Sequence, residues 1–179
     1  MKIRIGILFG GYSKEREISF AGGRTVYDNL NKALFEAVPV FVDSFGNFIL
    51  LNWEYVYKGS IRDFYPPANS IPTKNGDYQI YAESLGNLSA TEQQKLTQPL
   101  GTQLAAQDFK NHFDFAFLCL HGPFGEDGKV QSILQSVNMP YSGSGIRPSQ
   151  IGIDKALQKQ LMKEAGFASP DFMVLEKTD

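Results

Sequence analysis

Cysteine is nearly absent, Cys119 being the only one among 179 residues. A single thiol can close no internal disulfide and build no cysteine zinc site. An excess of charge of one sign is missing too: 17 basic residues face 19 acidic ones, and no block of Lys or Arg stands out. That balance excludes a phosphate-tracking surface, and with it a nucleic-acid partner. No apolar run approaches the ~20 residues of a membrane span, so no membrane partner is expected. The opening MKIRI reaches Gly10-Gly11 too early to be a secretory apolar segment. Residues 10–15 read GGYSKE, so the G-x-G-x-x-G of a nicotinamide dinucleotide site does not follow the first apolar run. These absences predict a reduced, soluble, cytoplasmic chain with one comfortable domain.

Alternating chemistry organises what is present. Residues 3–9, IRIGILF, predict a strand buried on both faces of a parallel sheet, ended by the turn 10–13. From 19 to 34 a helix is expected, with Ile18, Gly22, Val26, Leu30 and Leu34 at four-residue intervals. AVPVFV at 37–42 is a second strand, and the turn residues at 43–47 predict a hairpin over 40–51. Residues 52–110 lack a period and read as short strands and loops, with 87–98 a short helix or surface loop. Order returns with a buried strand at 113–120, a glycine-rich loop at 121–128, and a helix carrying Val130, Ile133, Leu134 and Val137. A last helix spans 154–165 with Gly166 as its C-cap signal, and 172–175 reads as a strand beginning. The fold class is α/β: a doubly wound, mainly parallel sheet flanked by helices.

Two loops leave the C-terminal ends of predicted strands, where doubly wound sheets bind ligands. In the first, Glu15 and Glu17 sit at a helix start, either complementing the dipole or facing a cationic group such as an ammonium. In the second, His121 follows a buried strand, either as a cap or as a donor to a carboxylate. His112 has no such setting and reads as surface; Cys119 reads as inert packing. Lys155 opens the last helix, where its charge opposes the dipole, so it is either solvated or paired with an anion. Gly143-Ser144-Gly145 is only half a dinucleotide motif.

LFGGYSKEREIS at 8–19 resembles the opening signature of D-alanine–D-alanine ligases. LHGPFGEDGKVQSILQSVNMPYSGSG at 120–145, with IDKALQKQLMKEAGFASPDF at 153–172, is similar to their second signature. The resemblance implies a Rossmann-like lobe preceding an ATP-grasp region, with residues 1–147 forming the substrate lobe, an insertion at about 43–110, and 148–179 starting the central lobe. It implies that ATP phosphorylates the carboxylate of one D-alanine and that a second D-alanine's amine attacks the acyl phosphate. Glu15 then holds the first substrate's ammonium, Ile18 lies against that substrate, His121 stands beside its carboxylate, and Lys155 reaches the ATP phosphates. ATP and Mg²⁺ are the implied cofactors, no metal ligand is expected in this chain, and a homodimer through this lobe is implied. Arg147-Pro148-Ser149-Gln150 stands where the family usually carries small residues before its helix, and Ser132 replaces a common glycine. The remaining ATP-grasp elements are expected after Asp179, leaving this lobe inactive alone. The competing expectations are an ATP-grasp ligase for another amino or hydroxy acid, and a non-catalytic amino-acid-binding or dimerisation module.

Overall fold

Strand β1 (Ile3–Gly10) is an interior strand of a five-stranded sheet and is buried from Ile5 onward. The structure, a computed structural model, describes residues 1–51, 56, 89, 91 and 101–175. β1 is flanked by β2 (Phe35–Val42) and β5 (Phe115–Leu118), both parallel to it. β3 (Phe48–Leu51) returns antiparallel along β2, and β4 (Gly101–Leu104) pairs antiparallel with β3. The order is β4-β3-β2-β1-β5. The parallel core is thus the expected one, the expected hairpin over 40–51 adds β3 antiparallel to β2, and β4, which the sequence did not announce, adds a second antiparallel strand. Asp43 forms the hairpin turn by accepting from the backbone N–H of Phe45 at 2.8 Å and of Asn47 at 2.9 Å.

Period-2 alternation divides the strands between two cores. Ile5, Ile7 and Phe9 of β1 join Phe41 and Ile49 on one face, under Phe20 of helix α1 (Arg16–Asn29). Leu8, Val38, Val40 and Val42 face the other way. There they meet Phe109 of the short helix α2 (Phe109–His112) and Val130 and Leu134 of α3 (Lys129–Ser136). Helices cover both faces, the doubly wound arrangement read from the sequence. At the sheet's N-terminal end Arg4 holds Asp114 with Nη2 at 2.7 Å and donates through Nη1 to the carbonyl of Asn111 at 2.6 Å. β5 is thereby tied to β1.

Several expectations shift. α1 begins at Arg16 and ends at Asn29, and its packed face is Arg16, Ser19, Phe20 and Gly23, while Ile18 is 62% exposed. The four-residue apolar series starting at Ile18 therefore does not mark the buried face. Small and polar residues occupy that face because the helix lies close to the sheet: a Cβ on Gly23 would fall 2.6 Å from Phe9 Cγ. The strand expected at 113–120 narrows to Phe115–Leu118. Residues 171–175 form no strand, because no neighbour pairs with them among the described residues. An unexpected helix, α4 (Ile146–Ile153), carries Pro148 in its first turn, where a missing N–H costs nothing. The boundary expected at 147/148 falls inside α4. α5 (Lys155–Glu164) follows, its N-cap Asp154 accepting from Ala156 at 3.1 Å and Leu157 at 3.0 Å. The expected Gly166 cap is present, with φ +81° and its N–H donated to Lys163. The expectations for 52–100, including a helix or loop at 87–98, lie outside the described residues except at 56, 89 and 91.

Candidate functional site

β1 and β5 are adjacent and parallel, so the loops leaving their C-terminal ends emerge side by side. The first turns on Gly10 and Gly11, at φ +98° and +92°. A side chain on Gly10 would strike the Phe41 ring and the Val42 carbonyl, each at 2.5 Å. The Gly10 N–H instead donates to the buried Ser19 hydroxyl at 2.8 Å, and Gly11 donates to the Val42 carbonyl at 2.7 Å. The chain then enters α1 through Ser13, whose hydroxyl accepts from the Glu15 N–H at 3.1 Å. Buried Arg16 donates to the Ser13 carbonyl at 2.8 Å. Glu15 is left exposed at the N-cap of α1.

The second loop, 121–128, is held by its own carboxylates. Glu126 Oε2 accepts from the Gly122 N–H at 2.7 Å, and Asp127 accepts from Phe124 at 3.0 Å and Lys129 at 3.1 Å. Burial raises the Asp127 pKa, but those two backbone donors and the Lys129 ammonium, 3.2 Å away, outweigh it and hold the carboxyl below its ordinary value. Phe124 adopts a left-handed φ of 78°, and its ring lies 5.5 Å from that of Tyr12 in the first loop. The loops also meet at Gly122, where a Cβ would fall 2.4 Å from Ser13 Oγ and 2.8 Å from Glu15 Oε2.

An open cleft of about 750 Å³ runs from these loops to the helices that follow. Glu15, Gly122, Glu126, Gln131, Ser144 and Lys155 are among its walls. Of the expected site residues, Glu15 and Lys155 therefore share one cleft. The Lys155 ammonium donates to the Gly152 carbonyl. His121 and Ile18 do not line it. The His121 imidazole sits 4.0 Å from Glu126 through Nδ1, between two cleft-lining neighbours, Leu120 and Gly122. Ile18 projects from the first turn of α1. Cys119 is buried as expected, and burial pushes its thiol up to about 12.

Sequence reading singled out Glu126 and Asp127 as carboxylates that stiffen the second loop, as they do, but it missed Ser13, Gly122 and Gln131. Ser13 and Gly122 act through a close approach between distant segments, which no local pattern carries. Gln131 did carry a signal: a polar residue beside Val130 on the buried face of α3. Among the described residues no group of three or more His, Cys, Asp or Glu could hold a metal ion, and no helix is long and apolar enough to cross a membrane.

Residues 4–144 match the family described as the D-ala D-ala ligase N-terminus. A D-alanine–D-alanine ligase from Thermoanaerobacter sp. (strain X514) is 30% identical over 185 residues, an alignment covering 97% of this chain and 43% of that protein. The ligase from Frankia casuarinae is 31% identical, with 99% of this chain and 48% of that protein covered. Among solved structures, the D-alanine–D-alanine ligase from Coxiella burnetii superposes with a TM-score of 0.64 at 20% identity, covering 92% of this chain and 42% of that one. The Bacillus anthracis ligase complexed with ATP gives 0.55 at 25%, covering 100% and 41%. The chain spans less than half the length of these relatives.

Proposed function

The chain belongs to the D-alanine–D-alanine ligase N-terminal family, and from that premise we propose that it is the amino-acid-holding lobe of an ATP-dependent D-alanine–D-alanine ligase serving peptidoglycan synthesis. The observation that carries this reading is the apposition of exposed Glu15 and the 121–128 loop at one end of a single cleft. A free carboxylate at a sheet edge suits the ammonium of the first D-alanine, an ion pair reinforced by charge-assisted hydrogen bonds. His121, 40% exposed beside Glu126, offers an imidazole N–H to that substrate's carboxylate. Ile18 stands one turn beyond Glu15 but outside the cleft, so no contact with the substrate is assigned to it. Holding the amino acid at both charged ends fixes its carboxylate for attack on a phosphoryl group, and positioning is the main requirement of such transfers.

ATP supplies the activating phosphoryl group, and Lys155, which also lines the cleft, is the cation this lobe offers to its phosphates. Among the described residues no group of three or more His, Cys, Asp or Glu could hold a metal ion, and no metal-dependent step is assigned to this chain. Residues 148–179 are read as the start of the central ATP-grasp lobe, the homodimer as formed through the N-terminal lobe, and the compartment as the cytoplasm.

Calorimetric titration of D-alanine into the chain tests the reading. Glu15→Gln removes a charge-assisted bond worth about 1.5–3 kcal/mol, so affinity falls roughly tenfold or more. An unchanged affinity would remove Glu15 from the site. In the complete protein, ADP release with D-alanine but not D-lactate or L-amino acids supports the ligase over a related enzyme. Binding without any ADP release would instead favour a non-catalytic module.

A further inference from the structure

Gln131 is the third residue of α3 and is only 4% exposed, beside the fully buried Val130 and Leu134. Its Nε2 donates to the Gly125 carbonyl at 2.9 Å. That bond fixes which end of the carboxamide carries nitrogen, since a carbonyl can only accept. The other end, Oε1, is buried without a partner among the described residues. A leucine here would carry no such unsatisfied acceptor. The amide's contribution is therefore the bond to Gly125.

Gly125 is itself seated against the end of β5. A Cβ there would lie 2.5 Å from Leu120 Cβ and 2.7 Å from its carbonyl carbon. Next to it, Glu126 accepts from the Gly122 N–H and stands 4.0 Å from His121 Nδ1. Gly122 in turn abuts Ser13 and Glu15. A displacement of Gly125 is thus passed to Glu126, then to both His121 and the surface facing Glu15. We infer that Gln131 is a positioning residue: its carboxamide clamps the tip of the 121–128 loop to α3 and so sets the place of His121 opposite Glu15. This rests on the reading of that loop as the wall of the D-alanine site.

The test combines amide hydrogen exchange, the His121 ring resonances and D-alanine calorimetry on the whole chain. In Gln131→Leu, exchange at Gly122 and Glu126 should accelerate at least tenfold. The His121 resonances should move and D-alanine affinity should fall at least tenfold, while α1 amides stay protected. Wild-type exchange at Gly122 and Glu126 overturns the clamp; a loosened loop with undiminished D-alanine affinity overturns the positioning role. Gln131→Glu provides a second measurement that does not depend on Gln131→Leu folding. Its protonated carboxyl can donate to Gly125 and its carboxylate cannot. Loop protection relative to wild type at the same pH should therefore be high in acid and lost towards neutrality, and a flat ratio overturns the clamp. If wild type itself fails to bind D-alanine, the proposed function fails, while the exchange data still decide on the clamp.

Discussion

Replacing Gly122 by alanine attacks the contact between the two loops directly. Gly122 has φ +66°, and its new Cβ would lie 2.4 Å from Ser13 Oγ, 3.3 Å from Ser13 Cβ and 2.8 Å from Glu15 Oε2. The left-handed backbone costs alanine about 1–2 kcal/mol, partly offset by about 0.4–1 kcal/mol from a less flexible unfolded chain. Ser13 is 5% exposed and its hydroxyl accepts from the Glu15 N–H. Pushing it aside forfeits about 0.5–1.5 kcal/mol of net hydrogen bonding. The expected loss of stability is about 2 kcal/mol, which for a chain of this size lowers Tm by roughly 4–8 °C. The Glu15 carboxylate can swing away at little cost in stability, but its charge then points elsewhere. D-alanine affinity should accordingly fall about tenfold, or ~1.4 kcal/mol. Gly143→Ala is the control, because Gly143 has φ +92° with nothing within 4 Å of a new Cβ. It carries backbone strain without collision, so it should melt closer to wild type. Thermal unfolding followed by circular dichroism, with calorimetry for binding, reads both effects. Wild-type melting and binding by Gly122→Ala, or an equal loss of stability in Gly143→Ala, would refute the reasoning.

Two further outcomes are expected. Gly23→Ala places a Cβ 2.6–2.8 Å from Phe9 atoms and should cost about 1–3 kcal/mol by overpacking, whereas Gly22→Ala meets only Cys119 Cβ at 3.8 Å and should gain up to about 1 kcal/mol of helix propensity. Denaturant unfolding of the pair measures this, and a reversed order would count against the packed face assigned to α1. Burial of Asp43 raises its carboxyl above the ordinary 3.8, against the lowering pull of the Asn47 side chain and the backbone N–H groups of Asn47, Phe45 and Gly46. The folded state thus holds this proton more tightly than the unfolded chain does. Its stabilising effect is complete below pH 3.8 and is lost as pH rises through the raised folded value. Wild type should lose stability relative to Asp43→Asn over that rise, and a difference that grows in the opposite direction would show the sign to be wrong.

The elements most readable in the sequence were those whose partners lie nearby or on both sides. β1 and β2 are apolar runs because both faces are covered, and the hairpin announced itself through Asp43, Gly46 and Asn47. β4 was not readable, since only Leu104 of Gly101–Leu104 is buried and its pairing with β3 is an edge contact. α1 was located but turned wrongly, because the face that meets the sheet is built from Ser19 and Gly23 as well as Phe20. Glu15 and Lys155 could be nominated from their positions at helix starts, and both border the cleft. The contacts of Gly122 with Ser13 and Glu15 depend on strand adjacency and left no local mark.

The pairing of β1 has a kinetic side. β1 meets β2 across a single helix, but its partnership with β5 joins Ile5 to Phe115 and Leu8 to Leu118. Closing so long a loop is entropically slower than forming the neighbouring unit. The first four structural elements can therefore associate as β1, α1, β2 and β3 while Glu15 still faces water on that side. Amino-acid binding would then report the last topological event of folding, the docking of β5, rather than the amount of secondary structure already made.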